Sequence, residues 1–435
     1  MGWLEIVCGL ILLLLFFYYR AVKSFQFWKE RGIPGPEPMF LFGNVLPVFM
    51  GLISLGDHVT KYYEQYKHLP VFGMFIRSNR VLVVNDPDII QTILVKDFSK
   101  FANRGIALNE SMEPLSQHLF LLEPKRWRPL RTRLSPTFTS GKLKEMFSMI
   151  IECSNTFEKY VDSLIANGNN IDVREVCARF TTDVISSCAF GLDTNAMSGE
   201  NNKFREIGKT FFNMSLVQRI KIQLREGLPT LYTLLGYILP RDDMTQFFTK
   251  VVNDVIDYRR KNNVVRQDFI HTLMDLQDHP EKLSISMTLK NLFKQTLRKL
   301  PPITVIMRKS CEDYYFESLK LSIPKGTRIF IPTYAIHRDP EVYPNPEVYD
   351  ISRFTEEAVK ARHPMHYLPF GDGPRNCIGA RFAIFQTKIG LIKVIKNFKV
   401  DVCEQTQIPF INDPRMLFLS PKDGKLILKL TKLEK

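Results

Sequence analysis

The hydrophobic pattern of the chain is mainly helical. Over residues 87–276, apolar side chains recur at steps of three and four, the spacing of one helix face. Shorter alternating stretches predict strands in residues 71–86, two joined strands in residues 319–333 and a hairpin in residues 416–430. A further helix is predicted after Gly379. Nothing in the pattern indicates a doubly wound sheet, so we expect a mainly α protein with small β-sheets.

The N-terminus carries an uncharged apolar stretch. Residues 6–19 contain no charge, and with Trp3 and Leu4 the apolar stretch spans 17 residues, 3–19, interrupted by Glu5. As a helix it would measure about 26 Å, just enough for a thin bilayer. We therefore expect residues 1–20 to form a transmembrane anchor. The alternative, a cleaved signal peptide, needs basic residues before the run and a small-residue cleavage site after it, and neither is present.

The residues that follow are basic and rich in proline. Positive charge after the apolar run places that side in the cytosol. Three prolines and two glycines in residues 31–38 exclude a helix or a central strand, so residues 21–38 predict a stiff linker or, more simply, a Pro-rich turn. Residues 39–435 contain no internal repeat and are expected to form one globular body.

Composition and charge narrow the function classes. The chain has 435 residues and a net charge of +14, which favours an acidic partner or a solvated basic surface. Its seven cysteines are odd in number and include no C-x-x-C pair, so neither a disulfide scaffold nor a structural zinc site is expected. No motif supports binding to nucleic acid.

The window Pro-Phe-Gly-Asp-Gly-Pro-Arg-Asn-Cys-Ile-Gly, residues 369–379, carries the clearest chemistry. Its glycines do not have the spacing of a phosphate-binding loop. Gly371 and Gly373 permit unusual backbone angles and close approach to a flat ligand, and Arg375 supplies a nearby cation. Cys377 precedes a predicted helix N-terminus, which favours a thiolate. An inert buried cysteine in a Gly-rich turn is the simpler alternative, but the whole pattern is too specific for it.

This window resembles the haem-binding loop of the cytochrome P450 family, F-x-x-G-x-R-x-C-x-G, with Phe370, Gly373, Arg375, Cys377 and Gly379 at its fixed places. The resemblance implies the cytochrome P450 fold, haem b (iron protoporphyrin IX) as the cofactor and Cys377 as the axial ligand of its iron. It also implies a monooxygenase that receives electrons from NADPH through a reductase. A thiolate ligand favours cleavage of the O–O bond.

Other stretches extend the resemblance. Trp127 and Arg131 match a W-x-x-x-R motif whose residues reach the haem propionates, although a surface pair is the alternative reading. A four-residue step puts both on one helix face. Arg308 resembles another propionate ligand, and with Arg375 it would give three arginines for two carboxylates. The chain looks most similar to insect family 6 members, with vertebrate family 3 as more distant cousins.

The resemblance also implies location and partners. It suggests an endoplasmic reticulum membrane protein with a cytosolic body, contacting membrane lipid, NADPH-cytochrome P450 reductase and cytochrome b5, and oxidising an apolar small molecule. A basic docking face for the reductase is expected around the Trp127 helix: Arg126, Arg128, Arg133, Lys142 and Lys144. Solvated surface charges are the alternative.

The chain departs from the family in its centre. The long helix with the motif A/G-G-x-[DE]-[TS], whose acid and Thr relay protons, is absent from the sequence, and no catalytic residue is identifiable. The fold is thus expected to be internally truncated, with the join in residues 286–289. A second departure is Gln295 in place of the glutamate of E-x-x-R, which would leave Arg298 and Arg353 facing a neutral amide. Loss of one partner from a buried ion network costs about 3–5 kcal/mol.

Two hypotheses therefore remain. The first is a haem-dependent monooxygenase that oxidises apolar small molecules, either xenobiotics or endogenous lipophiles, with O2. The second is a catalytically inactive, truncated member of the family, a pseudoenzyme or the product of splicing or a gene-model error, with impaired haem binding.

Overall fold

The computed structural model describes residues 2–110, 112–198, 202–212, 216–236, 243–262, 287–416 and 418–433. The chain divides into two compact units. The first comprises Met1–Gly105 with Lys294–Asn376, and the second Ile106–Phe293 with Cys377–Lys435. Each unit has its own sheets and core, so each is described by itself.

Helices dominate both units, as the pattern predicts. Within the described ranges the α-helices are α1 Trp3–Phe25, α2 Leu46–Phe49, α3 Leu55–Tyr66, α4 Pro87–Gln91, α5 Pro124–Leu134, α6 Ser140–Glu145, α7 Phe147–Asn167, α8 Val173–Ile185, α9 Lys203–Phe212, α10 Leu216–Gly227, α11 Pro229–Gly236, α12 Asp243–Asn262, α13 Met287–Lys299, α14 Thr333–Ile336, α15 Glu356–Ala361 and α16 Ala380–Asn397. The strands are β1 Val71–Ile76, β2 Asn79–Val84, β3 Asn170–Asp172, β4 Ile306–Lys309, β5 Tyr314–Phe316, β6 Leu321–Ile323, β7 Arg328–Ile331, β8 Phe398–Asp401 and β9 Ile427–Lys432.

The first unit is built on a four-stranded sheet in the order β1-β2-β7-β4. Strands β2 and β7 run parallel, and the two outer pairings are antiparallel. Leu82 and Val84 of β2 pack into one apolar cluster, while Val81 and Val83 pack into another on the opposite face. The strand is therefore buried on both faces, which explains its unbroken apolar sequence.

The second unit has a three-stranded sheet in the order β3-β9-β8. Its core joins α7, α8 and α16 with this sheet. Gly390 of α16 lets the helix approach α8 closely, since a Cβ there would lie 3.1 Å from the ring of Phe180. The start of α16 at Ala380 agrees with the helix predicted after Gly379.

The structure confirms one strand prediction and shows that another is wrong. The strands of residues 319–333 do exist, but β6 pairs with β5 and β7 pairs with β2 and β4, so they belong to different sheets. The hairpin predicted in residues 416–430 is wrong: β9 pairs with β3 and β8 instead. The segment before β9 contains Pro414 and Pro421, which lack the N–H that a ladder needs.

The membrane anchor predicted for residues 1–20 is not supported. Residues 3–25 do form a helix, α1. Throughout the ranges that the structure describes, however, no helix is both long and apolar enough to cross a membrane. The uncharged stretch between Glu5 and Arg20 has 14 residues, or about 21 Å of helix, against about 30 Å of hydrocarbon in a bilayer.

The predicted internal join lies at the edge of the described chain. Helix α12 ends at Asn262, and the next described residue, Met287, begins α13. Ser286 and the predicted end of the preceding helical sequence near Leu276 lie outside the described residues.

Candidate haem site

The loop before Cys377 turns through two left-handed glycines. Gly371 has φ 68° and Gly373 has φ 70°, angles that a residue with a Cβ rarely adopts. A Cβ on Gly373 would lie 1.8 Å from the carbonyl oxygen of Leu94. Gly373 therefore allows a close approach of the loop to the backbone of Leu94.

The end of the loop exposes the cysteine. Cys377 is solvent-exposed, and Phe370, at the start of the loop, is half-buried. Gly379 is the N-cap of α16 with φ −86°, and a Cβ there would be at ordinary distance, 3.9 Å, from the ring of Phe138. Neither backbone strain nor crowding among the described residues explains the glycine at 379.

The first unit brings three arginines together. Arg308 on β4 and Arg375 in the loop are both buried, and Arg104 donates from Nη2 to the carbonyl oxygen of Arg375 over 3.1 Å. Burial lowers the pKa of Arg308 well below its usual range, and the charges of Arg104 and Arg375 lower it further. Burial, and then Arg104, lowers the pKa of Arg375 to about 10. Three like charges this close favour binding of an anion.

Arg308 has fewer hydrogen-bond acceptors than its buried guanidinium needs. Its Nη1 donates to the carbonyl oxygen of Met307 over 2.9 Å, but its buried Nε has no hydrogen-bond partner within the described structure. A buried donor without an acceptor costs about 1–3 kcal/mol. Arg104 was missed by the sequence reasoning, because a single arginine in an irregular segment carries no local signal.

The second unit holds the other part of the predicted site. Trp127 is buried in α5, and Arg131 follows one turn later. Burial lowers the pKa of Arg131, whereas the charge of Cys377 raises it, so the guanidinium and the sulfur influence each other. Pro129 lies inside the same helix, between Trp127 and Arg131.

The fully buried Arg298 is held by neutral acceptors. It donates from Nε to Oε1 of Gln295 over 2.9 Å, from Nη1 to the carbonyl of His337 over 2.7 Å and from Nη2 to that of Pro346 over 2.6 Å. Gln295 in turn donates to the carbonyl of Val348 over 3.3 Å. Burial and the charge of nearby Arg353 lower the pKa of Arg298 to about 10.

Arg353 takes different partners from those expected. Its Nη2 donates to the carbonyl oxygens of Pro344, over 2.7 Å, and Asn345, over 3.2 Å, and its Nε lies 3.8 Å from Asp350. The structure thus pairs Gln295 with Arg298, while the hydrogen bonds recorded for Arg353 go to backbone carbonyls. These carbonyls replace part of the stabilisation that a glutamate at 295 would provide.

A buried histidine links this network to the cysteine loop. Nε2 of His337 accepts the backbone N–H of Leu368 over 2.9 Å, so the ring proton is on Nδ1, which donates to the carbonyl of Arg298 over 3.2 Å. Burial lowers the pKa of His337 to about 3, so the ring is neutral. Leu368 immediately precedes the cysteine loop. Sequence reasoning missed this residue, because its two partners are distant in the chain.

Comparison with known proteins identifies the class to which these features belong. The cytochrome P450 family matches residues 33–295 and 287–428, so the chain is a member of that family of haem-dependent monooxygenases, which are oxidoreductases. It is 34% identical to cytochrome P450 6A1 of Musca domestica, covering 93% of this chain and 94% of the relative. The probable cytochrome P450 6a14 of Drosophila melanogaster is 33% identical, covering 94% and 96%. Cytochrome P450 6k1 of Blattella germanica is 31% identical, covering 94% and 93%. The predicted similarity to insect family 6 is confirmed.

The alignments are longer than the chain. The match to the Musca domestica relative spans 481 positions, whereas the chain has 435 residues. Since 93% of the chain, or about 405 residues, takes part, roughly 76 aligned positions of the relative have no counterpart in this chain. The two segments that match the family overlap at residues 287–295, which lie within α13.

The haem implied by the family fits the residues present. Haem b carries two propionates and needs cations to hold them. The arginine cluster and the unpartnered Nε of Arg308 supply such cations in the first unit. In the second unit, the exposed residue Cys377 has a sulfur that could serve as a ligand for iron. Members of this family receive their electrons from NADPH through a redox partner.

Proposed function

We propose that this chain binds haem b with Cys377 as the axial ligand of the iron. In the same proposal, the cations that hold the propionates are Arg131, Arg308 and Arg375, assisted by Arg104 and by the indole of Trp127. The observation that carries the proposal is the deep burial of Arg308 beside two other arginines. Such an arrangement is unfavourable unless an anion completes it.

The proposed reaction is the oxidation of an apolar small molecule. When bound, haem supplies an iron centre that activates O2 so that one oxygen atom enters the substrate. The residues of the chain would orient and hold this group: the cysteine loop would present the sulfur and the arginines would hold the propionates. His337 secures Leu368 immediately before the loop. Xenobiotics and endogenous lipophiles both belong to this substrate class.

The same proposal includes a basic surface for electron donors. Of the five cations predicted around α5, Arg126 pairs with Glu110 and Lys142 with Glu145. The other three, Arg128, Arg133 and Lys144, are exposed. We assign these three to the docking of the acidic NADPH-cytochrome P450 reductase, with cytochrome b5 as a second donor.

A second candidate function follows from the missing central helix. The unmatched positions in the alignments support an internally shortened chain. Helix α16 buries Ile389 in the core of the second unit but exposes Ile392 and Ile395, as expected where a further apolar partner of the helix is absent. Under this alternative the protein is a truncated, catalytically inactive member of the family.

Location at the endoplasmic reticulum membrane is also part of the proposal. Its support is α1, on which Trp3, Leu12 and Leu15 are exposed to solvent. Exposed apolar side chains on one helix favour contact with lipid at the surface of the bilayer.

Turnover tests the proposed reaction directly. The purified chain is combined with a P450 reductase, NADPH and a panel of apolar compounds, and products are measured. Product formation that requires both NADPH and Cys377 supports the monooxygenase. A haem-loaded chain that forms no product from any compound supports the inactive alternative.

A further inference from the structure

A basic cavity lies in the first unit, away from the arginines assigned to haem. It has a volume of about 1140 Å³ and is bordered by the C-terminal part of α1, the turn before β2 and the β5–β6 hairpin. Four cations line it: Arg20, Lys23, Arg31 and Arg80. Two carboxylates, Glu30 and Asp313, leave it with an excess of positive charge.

Most of these cations have no acidic partner. Within the described part of the chain, Arg20, Lys23 and Arg80 have no carboxylate within ion-pair distance, and Arg31 has only Glu30 at 3.9 Å. The exposed Glu30 belongs to the same short turn as Arg31 and screens it weakly. The cavity therefore attracts an anion from outside the chain.

An aromatic ring fixes two of the cations in place. The guanidinium carbons of Arg31 and Arg80 lie 3.7 Å and 4.1 Å from the centroid of the Phe27 ring, so they are at most about 8 Å apart. Burial, and then the charge of Arg31, lowers the pKa of Arg80, and its buried Nε has no hydrogen-bond partner in the described structure. A phosphate between such guanidiniums would relieve their repulsion and accept this donor.

The apolar surface beside the cavity indicates what carries the phosphate. Phe16 and Tyr19 line the cavity and are exposed, and one turn earlier on α1 Leu12 is 67% and Leu15 is 56% exposed. A cationic cavity continuous with an exposed apolar helix surface matches an amphiphile with a charged head and an acyl tail. A soluble anion would use the charges but would leave the apolar side chains in water.

We propose that this cavity binds the headgroup of an anionic phospholipid, with Arg31 and Arg80 on the phosphate, Arg20 and Lys23 at the mouth, and the acyl chains along α1. The inference rests on the lipid contact proposed above and makes it specific for negatively charged lipid. It does not depend on haem.

Vesicle sedimentation of the full-length chain tests this site. Binding is measured to phosphatidylcholine vesicles and to vesicles that also contain phosphatidylserine. We expect the wild type to bind the anionic vesicles more tightly. In R31Q/R80Q, the ratio of the two affinities should fall about fivefold for each charge removed. Because Arg80 stacks on the core residue Phe27, the exposed pair R20Q/K23Q serves as a second variant that does not disturb packing.

The control variant is K61Q/K360Q. It removes two exposed positive charges that lie in the same unit but outside the cavity. Equal losses in the control and the cavity variants would overturn the site, because the effect would then follow net charge alone. Unchanged anionic preference in both cavity variants would overturn it as well. Binding to phosphatidylcholine alone tests the general lipid contact, so its loss is distinguishable from a loss of headgroup preference.

A soluble source of the anion is tested separately. Inorganic phosphate is added without vesicles, and the melting temperature is compared with that in sodium chloride of equal ionic strength. No specific stabilisation supports the lipid assignment. Stabilisation that is lost in R31Q/R80Q would reassign the cavity to a soluble phosphate and contradict the proposal.

Discussion

Replacing Arg308 with methionine should have opposite effects on the haem-free and haem-loaded protein. In the haem-free chain, Arg308 is 1% exposed, repelled by Arg104 and Arg375, and compensated by one hydrogen bond to a neighbouring carbonyl. Substitution of buried charges by apolar residues of similar size stabilises proteins by about 1–4 kcal/mol. We therefore expect R308M to raise the free energy of unfolding of the haem-free chain.

In the haem-loaded chain the same change removes a partner of a propionate. Breaking a buried ion pair costs about 3–5 kcal/mol, so haem affinity should fall at least a hundredfold. The assay combines urea unfolding of both forms with the rate of haem transfer to a scavenging apoprotein. Faster transfer together with a more stable haem-free chain is the expected result.

Arg298 provides a matched control. It is as deeply buried as Arg308, but each of its three hydrogen bonds reaches a neutral acceptor of the protein itself. R298M should therefore destabilise both forms. The reasoning is refuted if R308M behaves like R298M, since Arg308 would then be a structural residue with no anion to hold.

Three further predictions concern the site. C377A should abolish the thiolate-type haem spectrum and C311A should retain it; an unchanged spectrum in C377A would remove Cys377 as the ligand. Q295E alone should not raise turnover above the level of the wild type, because it supplies no proton relay, and a clear increase in NADPH-dependent oxidation in that variant would contradict this. The pKa of His337 is lowered to about 3 in the folded chain, so the ring takes up a proton more readily when the chain is unfolded. Its contribution to the free energy of unfolding is therefore fully present above about pH 6.5 and declines below that pH. Lowering the pH from 7.5 to 5 should therefore cost the wild type about 2 kcal/mol more than H337Q in urea unfolding, and equal pH slopes would contradict this.

Local signals explain what the sequence could predict of the fold. The three-four periodicity gave the long helices, and the loop of residues 369–379 gave the start of α16 and two left-handed glycines. The pairing of β9 with β3 and β8 could not be predicted, because it joins segments more than two hundred residues apart in one case. The alternating pattern of residues 416–430 favoured a local hairpin, but Pro414 and Pro421 lack the N–H groups that such a hairpin needs.

The candidate site likewise contains residues that could be located from the sequence and residues that could not. Cys377, Trp127 and Arg131 stand in compact motifs and could be located by spacing. Arg104 and His337 act through partners 271 and 31 residues away in the chain, so no window contains their role. Gln295 was recognised as a departure, but the backbone carbonyls that compensate for it became visible only in the fold.

The reduced, carbon-monoxide difference spectrum of the purified full-length chain tests the central claim most directly. In that claim the chain holds haem through Cys377, although roughly 76 aligned positions of the Musca domestica relative have no counterpart in it. We expect a strongly red-shifted Soret band, the signature of haem with a thiolate ligand. If a folded chain supplied with haem shows no such band, the proposed haem ligation is contradicted, and the hypothesis of a truncated protein that does not bind haem is favoured.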